Sequence, residues 1–216
     1  MSIKLKGSTA GSVALDAPAN TSPSGSDISF TLPIADGSSG QVLTTNGSGA
    51  LSFANEGKIT QVVSTTKTDV YSESFSAIGE GSNITGFSVT ITPSSTSNKV
   101  LLTGFMSVGT NGSSEHQIAY RIYRGSTLIS VGDADGSRSR VTGAMNYGDG
   151  GMRVPALMAI NHLDSPSTTS SVTYNIRFFQ VYATSVTLYL NRGGNTENNS
   201  GRVRATSTIT AMEVAA

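Results

Sequence analysis

The sequence has 216 residues, in which 14 basic and 14 acidic residues balance to a net charge of zero, and it contains no Cys and no Trp. A chain of this composition has no thiol for a disulfide or a thiolate-bound zinc, and no positive field to hold nucleic acid. Its longest apolar runs are a few residues, far short of the roughly 20 that a membrane-spanning helix needs, so we expect no membrane insertion.

Small polar residues dominate the composition, with 34 Ser, 26 Thr and 24 Gly. Charged residues make up 13% of the chain, about half of the ~25% that is usual in globular proteins. Turns favour Gly and Ser, and strands favour Thr and other β-branched residues. The composition therefore predicts an all-β fold.

The first 57 residues alternate Gly-Ser turns with β-like segments of four or five residues. Segments this short do not form a stable isolated sheet in one chain. We therefore expect them to bury their few apolar side chains against copies of themselves, around a shared axis. The predicted strands are Ile3–Lys6, Ser12–Leu15, Ile28–Leu32, Gln41–Thr45 and Ala50–Ala54.

From Lys58 onward the predicted strands are longer and alternate cleanly between apolar and polar residues. In the segment that begins at Val172, for example, Tyr174 and Ile176 share one face while Asn175 lies on the other. Period-two alternation is the pattern of half-buried strands. Eight to ten such strands, separated by turn clusters, predict an antiparallel sandwich or barrel over residues 58–216.

Four large side chains interrupt the polar faces of these strands: Leu101, Phe105, Tyr123 and Phe179. Exposed apolar residues on several strands are typical of a subunit interface, so we predict that these four contact other copies of the chain. Alternatively, they pack under loops or on the other layer of the sandwich.

Two candidate sites for cations or catalysis have simpler interpretations. Asp133 and Asp135, with Asp149 as a further ligand, resemble a calcium loop, but an EF-hand would require Glu where Ala144 stands. Asp and Gly are equally typical of a β-turn, and both interpretations stay open. The two histidines, His116 and His162, have no nucleophile motif beside them, and we expect His162 to lie at a surface loop. We predict that the protein is not an enzyme and needs no cofactor.

The arginines Arg138, Arg140 and Arg153 suggest a surface that contacts anionic polysaccharide; the alternative is scattered, solubilising charge. Carboxylates are sparse and Trp is absent. A glycan depolymerase, which needs two positioned carboxylates, is therefore the less favoured function.

The segments from Ile3 to Pro18 (IKLKGSTAGSVALDAP) and from Thr31 to Phe53 (TLPIADGSSGQVLTTNGSGALSF) resemble the entry module of marine bacteriophage fibre and virion-appendage proteins, notably those of cyanophages. The resemblance covers about the first quarter of the chain. It implies a homotrimer with short, interwoven β-structure, in which residues 1–57 attach to the virion.

Three later segments resemble the trimeric jelly-roll heads of such fibres, which are similar to the tumour-necrosis-factor-like fold. These segments begin at Tyr120 (YRIYRGSTLI), Pro166 and Ser207 (STITAMEVAA). The resemblance implies a jelly-roll head over residues 58–216.

Together these observations predict a virion structural protein, a homotrimeric fibre or spike whose head adheres to a glycan or protein of the host surface. Multivalency would make weak single contacts effective. The alternative is a capsid decoration or head-fibre protein with a stabilising role. The loops of the head are the expected contact regions. The candidate contact residues are Asn111, Asp133, Asp135, Arg138, Arg140, Asn146, Asp149, Arg192 and Asn195.

The expected location is the virion. The first residues lack the apolar core of a secretory signal, so we expect synthesis in the host cytoplasm and release by lysis. The partners that we expect are two further copies of the chain, other tail or capsid proteins, and the host surface.

Overall fold

The computed structural model describes residues 3–6, 12–15, 27–55, 58–112, 117–146, 154–182, 185–195, 197–198 and 200–216, with the backbone alone for the first two ranges. The contacts within the chain divide it into two units, Met1–Gly57 and Lys58–Ala216. The described residues form strands and connecting segments and contain no helix. The strands are β1 (Ile3–Lys6), β2 (Ser12–Leu15), β3 (Gln41–Thr45), β4 (Leu51–Asn55), β5 (Ile59–Lys67), β6 (Tyr71–Phe75), β7 (Gly79–Ile91), β8 (Lys99–Thr110), β9 (Gln117–Arg124), β10 (Thr127–Leu128), β11 (Gly143–Asn146), β12 (Ala156–Asp164), β13 (Val172–Gln180), β14 (Val186–Leu190) and β15 (Ser207–Val214).

The described strands of the first unit form two antiparallel hairpins, β1–β2 and β3–β4. Asn46 closes the turn of the second hairpin, where its Oδ1 accepts the backbone N–H groups of Ser48 and Ala50. None of the described residues 27–54 is buried. This unit therefore has no hydrophobic core within the described part of one chain.

The second unit is an antiparallel sandwich of two sheets. The first sheet has the order β5-β15-β8-β14-β6, and β12 pairs with the other edge of β8. The second sheet has the order β10-β9-β13-β7, and β11 pairs with β9. Eight of these strands, β5-β15-β8-β12 opposite β7-β13-β9-β11, follow the strand order of a jelly roll, as the sequence predicts.

The core lies between the two sheets and is built from the alternating apolar residues of their inner faces. Phe87, Ile122 and Ile176 come from the second sheet, and Leu102 and Ile209 come from the first. All five are at most 1% exposed because the period of a strand directs every second side chain inward. Full burial of one such side chain contributes about 1.5–3 kcal/mol.

Polar side chains of the second sheet form hydrogen bonds to strand β12 of the first sheet and hold the two sheets together there. The hydroxyl of Tyr120 on β9 donates to the carbonyl oxygen of Ala159 at 2.6 Å. At the end of β12, the Asp164 carboxylate accepts the Tyr174 hydroxyl at 2.7 Å and the Arg124 guanidinium at 2.8 Å. The buried carboxylate is thereby paired with both a charge and a hydroxyl, as a buried acid requires.

Two sequence-based predictions of local structure are wrong. The segment Ile28–Leu32 is not a strand, because its pairing with other described residues is limited to one bridge, from Thr31 to Ala50. His162 lies on strand β12 rather than in a loop. Pro155 precedes this strand and does not interrupt it.

Candidate functional site

The outer face of the second sheet carries five interacting side chains from β7, β9 and β13, which we name the arginine cluster: Glu80, Arg121, Tyr123, Arg177 and Phe179. Arg121 and Arg177 are register partners on neighbouring strands. Their sequence neighbours Ile122, Ile176 and Phe178 face the core. The alternation of the strands therefore turns the cluster away from the core.

Each guanidinium group of the cluster stacks on an aromatic ring of the neighbouring strand. Arg121 Cζ lies 4.0 Å from the centroid of the Phe179 ring, and Arg177 Cζ lies 4.0 Å from that of Tyr123. Both distances are well within the range of cation–π attraction. The two rings thus support the guanidinium planes and fix their orientation.

A single carboxylate, that of Glu80, is shared by both arginines and by a tyrosine. Its Oε2 lies 3.3 Å from Arg177 Nη1, and its Oε1 lies 3.5 Å from Arg121 Nη1. Oε1 also accepts the Tyr123 hydroxyl at 2.6 Å. Burial, together with Glu80, raises the pKa of Tyr123, so this hydroxyl keeps its proton at neutral pH. The cluster therefore carries one negative and two positive charges.

Irregular pairing between β7 and β13 aims two side chains of β7 at the same face. The register runs from Asn175 opposite Ser88 to Arg177 opposite Asn83 and then to Phe179 opposite Glu80, with a shift at each step. Bulges of this kind re-aim side chains. As a result, Asn83 Oδ1 accepts Arg177 Nε at 2.7 Å.

The loop before β11 reaches the cluster through its backbone. The carbonyl oxygen of Arg140 accepts Arg121 Nε at 2.7 Å, and Arg140 Nε donates to the carbonyl oxygen of Gly132 at 2.7 Å. No acidic group in the described part of the chain forms an ion pair with Arg140. The cluster and Arg140 together present an excess of positive charge, which suits an anionic ligand.

The other candidate contact residues of this loop form a local turn. The Arg138 backbone N–H donates to the Asp135 carbonyl oxygen at 3.1 Å, and the two side chains form an ion pair of 2.8 Å. Asp133 is exposed beside them. These contacts favour the turn interpretation of the Asp133–Asp135 segment. No group of three or more His, Asp or Glu residues that could hold a metal ion lies in the described parts of the chain.

Two other candidate contact residues, Asn111 and Arg192, stabilise their own connections. Asn111 Oδ1 accepts the Thr187 backbone N–H at 2.8 Å. Arg192 stacks 4.4 Å from the Tyr189 ring centroid and donates to the carbonyl oxygens of Gly193 and Asn195. Their local hydrogen bonds account for these side chains without a ligand.

The remaining candidates have separate positions. Asn195 Oδ1 accepts the Glu197 backbone N–H at 2.9 Å. Asn146 is exposed at the end of β11, and Asp149 lies outside the described residues. Of the nine candidates, Arg140 is the one with a contact to the arginine cluster in the described structure.

The first sheet presents a different outer face, crossed by four apolar side chains in register. Val62 lies opposite Met212, Met212 opposite Leu101, and Leu101 opposite Leu163. We name this set the apolar row. Val62 is 57% exposed and Leu163 is 49% exposed. The predicted interface residue Leu101 is therefore in the middle of an uncovered apolar strip.

The other three predicted interface residues differ in exposure. Phe105 is 39% exposed on the same outer face as Leu101. Tyr123 and Phe179 are only 6% and 7% exposed, because the two arginines of the cluster cover their rings. The expectation that all four are exposed is wrong for these two, although they do lie outside the core. Their role between subunits stays a prediction.

Glu80, Arg121 and Arg177 were not predicted from the sequence. A signal for the arginines is present, because Arg121 and Arg177 each precede an aromatic residue by two positions. Residues i and i+2 of a strand share a face. Each pattern therefore predicts a strand with an arginine and an aromatic residue on the same face. These patterns do not show that β9 and β13 are neighbours, or which of their residues are paired.

Comparison with known proteins identifies similar structures but no related sequence. The chain matches no protein family and no curated protein sequence. Similar solved structures include "Structure of infectious bursal disease virus Gt strain", with a TM-score of 0.37 and 17% identity over 98% of this chain and 46% of that one. The Gx strain structure has a TM-score of 0.37 and 18% identity over 77% of this chain and 40% of that one. The crystal structure of the VP2 subviral particle of the same virus has a TM-score of 0.36 and 14% identity over 76% of this chain and 40% of that one.

This chain thus spans less than half the length of those similar chains. With so few identical residues, the assignment of the fold rests on the strand order described above. The described residues contain no helix long and apolar enough to cross a membrane.

Proposed function

We propose that this chain is a structural protein of a bacteriophage virion, a homotrimeric fibre or spike whose head adheres to the host surface. In this role residues 1–57 join the chain to other tail or capsid proteins, and residues 58–216 form the head. The resemblance of the N-terminal segments to phage appendage proteins supports the assignment, and so does the jelly-roll strand order of the second unit.

One observation carries the proposal: the first unit leaves its apolar side chains exposed. Phe30, Leu32 and Ile34 are each at least 60% exposed, and none of residues 27–54 is buried. Leu43 on β3 is also more than half exposed. A soluble chain rarely leaves such a contiguous apolar set in water. Burial against two further copies would remove these side chains from solvent.

The apolar row supplies a second surface for contact between copies. Beside it lies a row of uncharged polar residues, Ser64, Thr210, Thr103 and Asn161, also in register across the four strands. Apolar residues with a neutral polar border are typical of the core of an oligomer interface. We therefore place the contact between heads on this face, around Leu101 and its neighbours.

Adhesion requires no catalytic site, because multivalency raises the strength of weak contacts. Three heads on each fibre, and several fibres on each particle, increase avidity by about 10²–10⁴ when the geometry allows simultaneous binding. The loops at the rim of the sandwich and the arginine cluster are the surfaces that we propose to face the host.

Two measurements test the proposal. Sedimentation of the full chain is expected to give three times the 22.2 kDa mass of one chain. Cryo-electron microscopy of the parent particle is expected to show the chain at the tail in tens of copies. A stable monomer at micromolar concentration would contradict the trimer. Hundreds of copies over the capsid shell would replace the adhesive role with a stabilising one.

A further inference from the structure

We propose that the arginine cluster is a binding site for the anionic groups, carboxylate or sulfate, of a surface polysaccharide. The inference deepens the proposed function, on which it rests, by naming the site and the chemical class of the ligand. It depends on the geometry of Arg121 and Arg177, the charge balance around them, and the small polar side chains beside them.

The donor groups of the two arginines are fixed before any ligand arrives. Each guanidinium lies on an aromatic ring, and each Nε donates to an oxygen at 2.7 Å. Each Nη1 faces Glu80. Among the described residues, the hydrogen bonds and ion pairs of Arg121 and Arg177 are made through Nε and Nη1, and Nη2 has no partner. These groups are therefore available to a ligand at little conformational cost.

The charge of the cluster is incompletely neutralised. Glu80 offsets one of the two positive charges, and Arg140, which contacts Arg121 through its carbonyl oxygen, adds another. The side chains of Arg121 and Arg177 are 17% and 25% exposed, so solvent reaches them. Guanidinium groups bind carboxylates and sulfates through charge-assisted hydrogen bonds, which are among the strongest in proteins.

Small polar side chains on the same face supply hydrogen-bonding groups for the hydroxyls of a sugar ring. Asn175 lies opposite Tyr123 on one side and opposite Ser88 on the other. The adjacent pair, Thr173 and Thr90, is joined by a 2.8 Å hydrogen bond between hydroxyls. Amide and hydroxyl groups next to a cationic pair match a saccharide that carries one anionic group among several hydroxyls.

Binding of the full-length protein to three soluble polymers tests the inference: alginate, which carries carboxylates, dextran sulfate, which carries sulfates, and neutral dextran. We expect binding to one or both anionic polymers and none to neutral dextran. The anionic polymer that binds identifies the group. Binding to neither anionic polymer, or equal binding to neutral dextran, would overturn the inference.

Matched variants then locate the site. The double variant R121Q/R177Q is expected to weaken polymer binding by at least about tenfold, since hydrogen bonds to charged groups are lost. The control K99Q removes an exposed positive charge from the first sheet and is expected to bind like the wild type. Equal weakening in K99Q would indicate a general charge effect and overturn the inference.

A variant of Glu80 tests the site without removing an arginine. E80Q keeps an acceptor for the Tyr123 hydroxyl but removes the negative charge between the two guanidinium groups. It is expected to bind the anionic polymer about threefold more tightly, because both cations are then free to pair with the ligand. Unchanged or weaker binding by a folded E80Q protein would contradict the proposed site.

Adsorption of the parent virion separates this inference from the proposed function. The purified protein is expected to block adsorption by competing for the host surface. If it blocks adsorption yet binds no anionic polymer, the adhesive function holds and this inference fails. If it binds the polymers with the expected variant pattern yet does not affect adsorption, this inference holds and the adhesive function fails.

Discussion

Asn191 and Ser207 share a 2.6 Å hydrogen bond at the place where β14 ends and β15 begins, with Ser207 Oγ donating to Asn191 Oδ1. The amide nitrogen of the same Asn191 donates to the carbonyl oxygens of Lys67 and Asp69, each at 2.8 Å. Ser207 Oγ in turn accepts the Ser107 backbone N–H at 2.9 Å. One buried side chain thus joins the ends of β5, β14 and β15.

Replacing this asparagine is expected to destabilise the head. Asn191→Ala removes the donor to the buried carbonyl oxygen of Lys67 and the half-buried one of Asp69, and it places Ala at a φ of 68°. We expect the free energy of unfolding to fall by about 2–4 kcal/mol, measured by urea denaturation. Asn191→Gly removes the same hydrogen bonds but tolerates this φ, so it is expected to cost less. An Ala variant as stable as the wild type would mean that these bonds contribute nothing.

Glu213 is expected to make the stability of the head dependent on pH. It is 2% exposed, and its Oε1 accepts Ser94 N at 2.6 Å, Ser94 Oγ at 2.7 Å and Asn98 Nδ2 at 2.7 Å. Burial tends to raise the pKa of Glu213, but the hydrogen bonds from Asn98 and Ser94 outweigh it and lower the pKa below the ordinary value of 4.5. The native state therefore releases this proton more readily than the unfolded state does.

A lowered pKa stabilises the native state at pH values above the ordinary one. As the pH falls below 4.5 and through the lower native pKa of Glu213, this stabilisation is lost. Thermal melting of the wild type between about pH 6 and pH 2 is expected to show a loss of stability that Glu213→Gln reduces. Asn98→Ala removes one donor and is expected to move the loss to higher pH. Identical profiles for wild type and Glu213→Gln would show that this carboxylate does not contribute.

The apolar row is expected to control assembly rather than folding. Leu163→Glu places a charge in the proposed contact between heads, where an unpaired charge costs several kcal/mol. Because this side chain is 49% exposed in one chain, the melting temperature of the isolated head should change little. Sedimentation velocity is expected to show dissociated chains. The control Ile78→Glu alters a side chain of similar exposure, 52%, just before β7, and should leave the trimer intact.

Residues 58–216 are expected to fold without the first unit. Every buried apolar side chain of the described structure lies between Ile84 and Ala211, and the contacts of the chain separate at Gly57. Circular dichroism of a 58–216 fragment should show a β-sheet spectrum and one cooperative thermal transition. A random-coil spectrum would show that the head requires the N-terminal segment.

The fold was predictable from alternation where a strand has a half-buried face. Val172–Gln180 alternates as the sequence predicts, since its two neighbours place it inside the second sheet. Ile28–Leu32 has the same apparent pattern, but among the described residues its pairing is limited to the single bridge from Thr31 to Ala50. Ala156–Asp164 was missed as a strand because Asn161, His162 and Asp164 suggested a loop. Alternation indicates the capacity to form a strand, and pairing decides whether it forms.

The candidate site was less predictable than the fold. Tyr123 and Phe179 were correctly assigned to the face opposite the core. The face that a residue occupies follows from its position along its own strand. Their coverage by Arg177 and Arg121 depends on how β9 and β13 are paired, which is not local. The position of Glu80 depends on irregular pairing in β7, for which the sequence gives no clear signal.

Pairs of hydroxyl groups join neighbouring strands on the exposed faces of both sheets. Each pair is 2.8–2.9 Å apart and carries no charge: Ser64–Thr210, Thr66–Thr208, Ser74–Thr187 and Thr90–Thr173. Dissolved ions screen attraction between charges over a distance of about 10 Å at 0.1 M salt, but they leave a short contact between neutral groups almost unchanged. A sheet surface built from hydroxyls therefore holds its strands together equally well in fresh water and in brine.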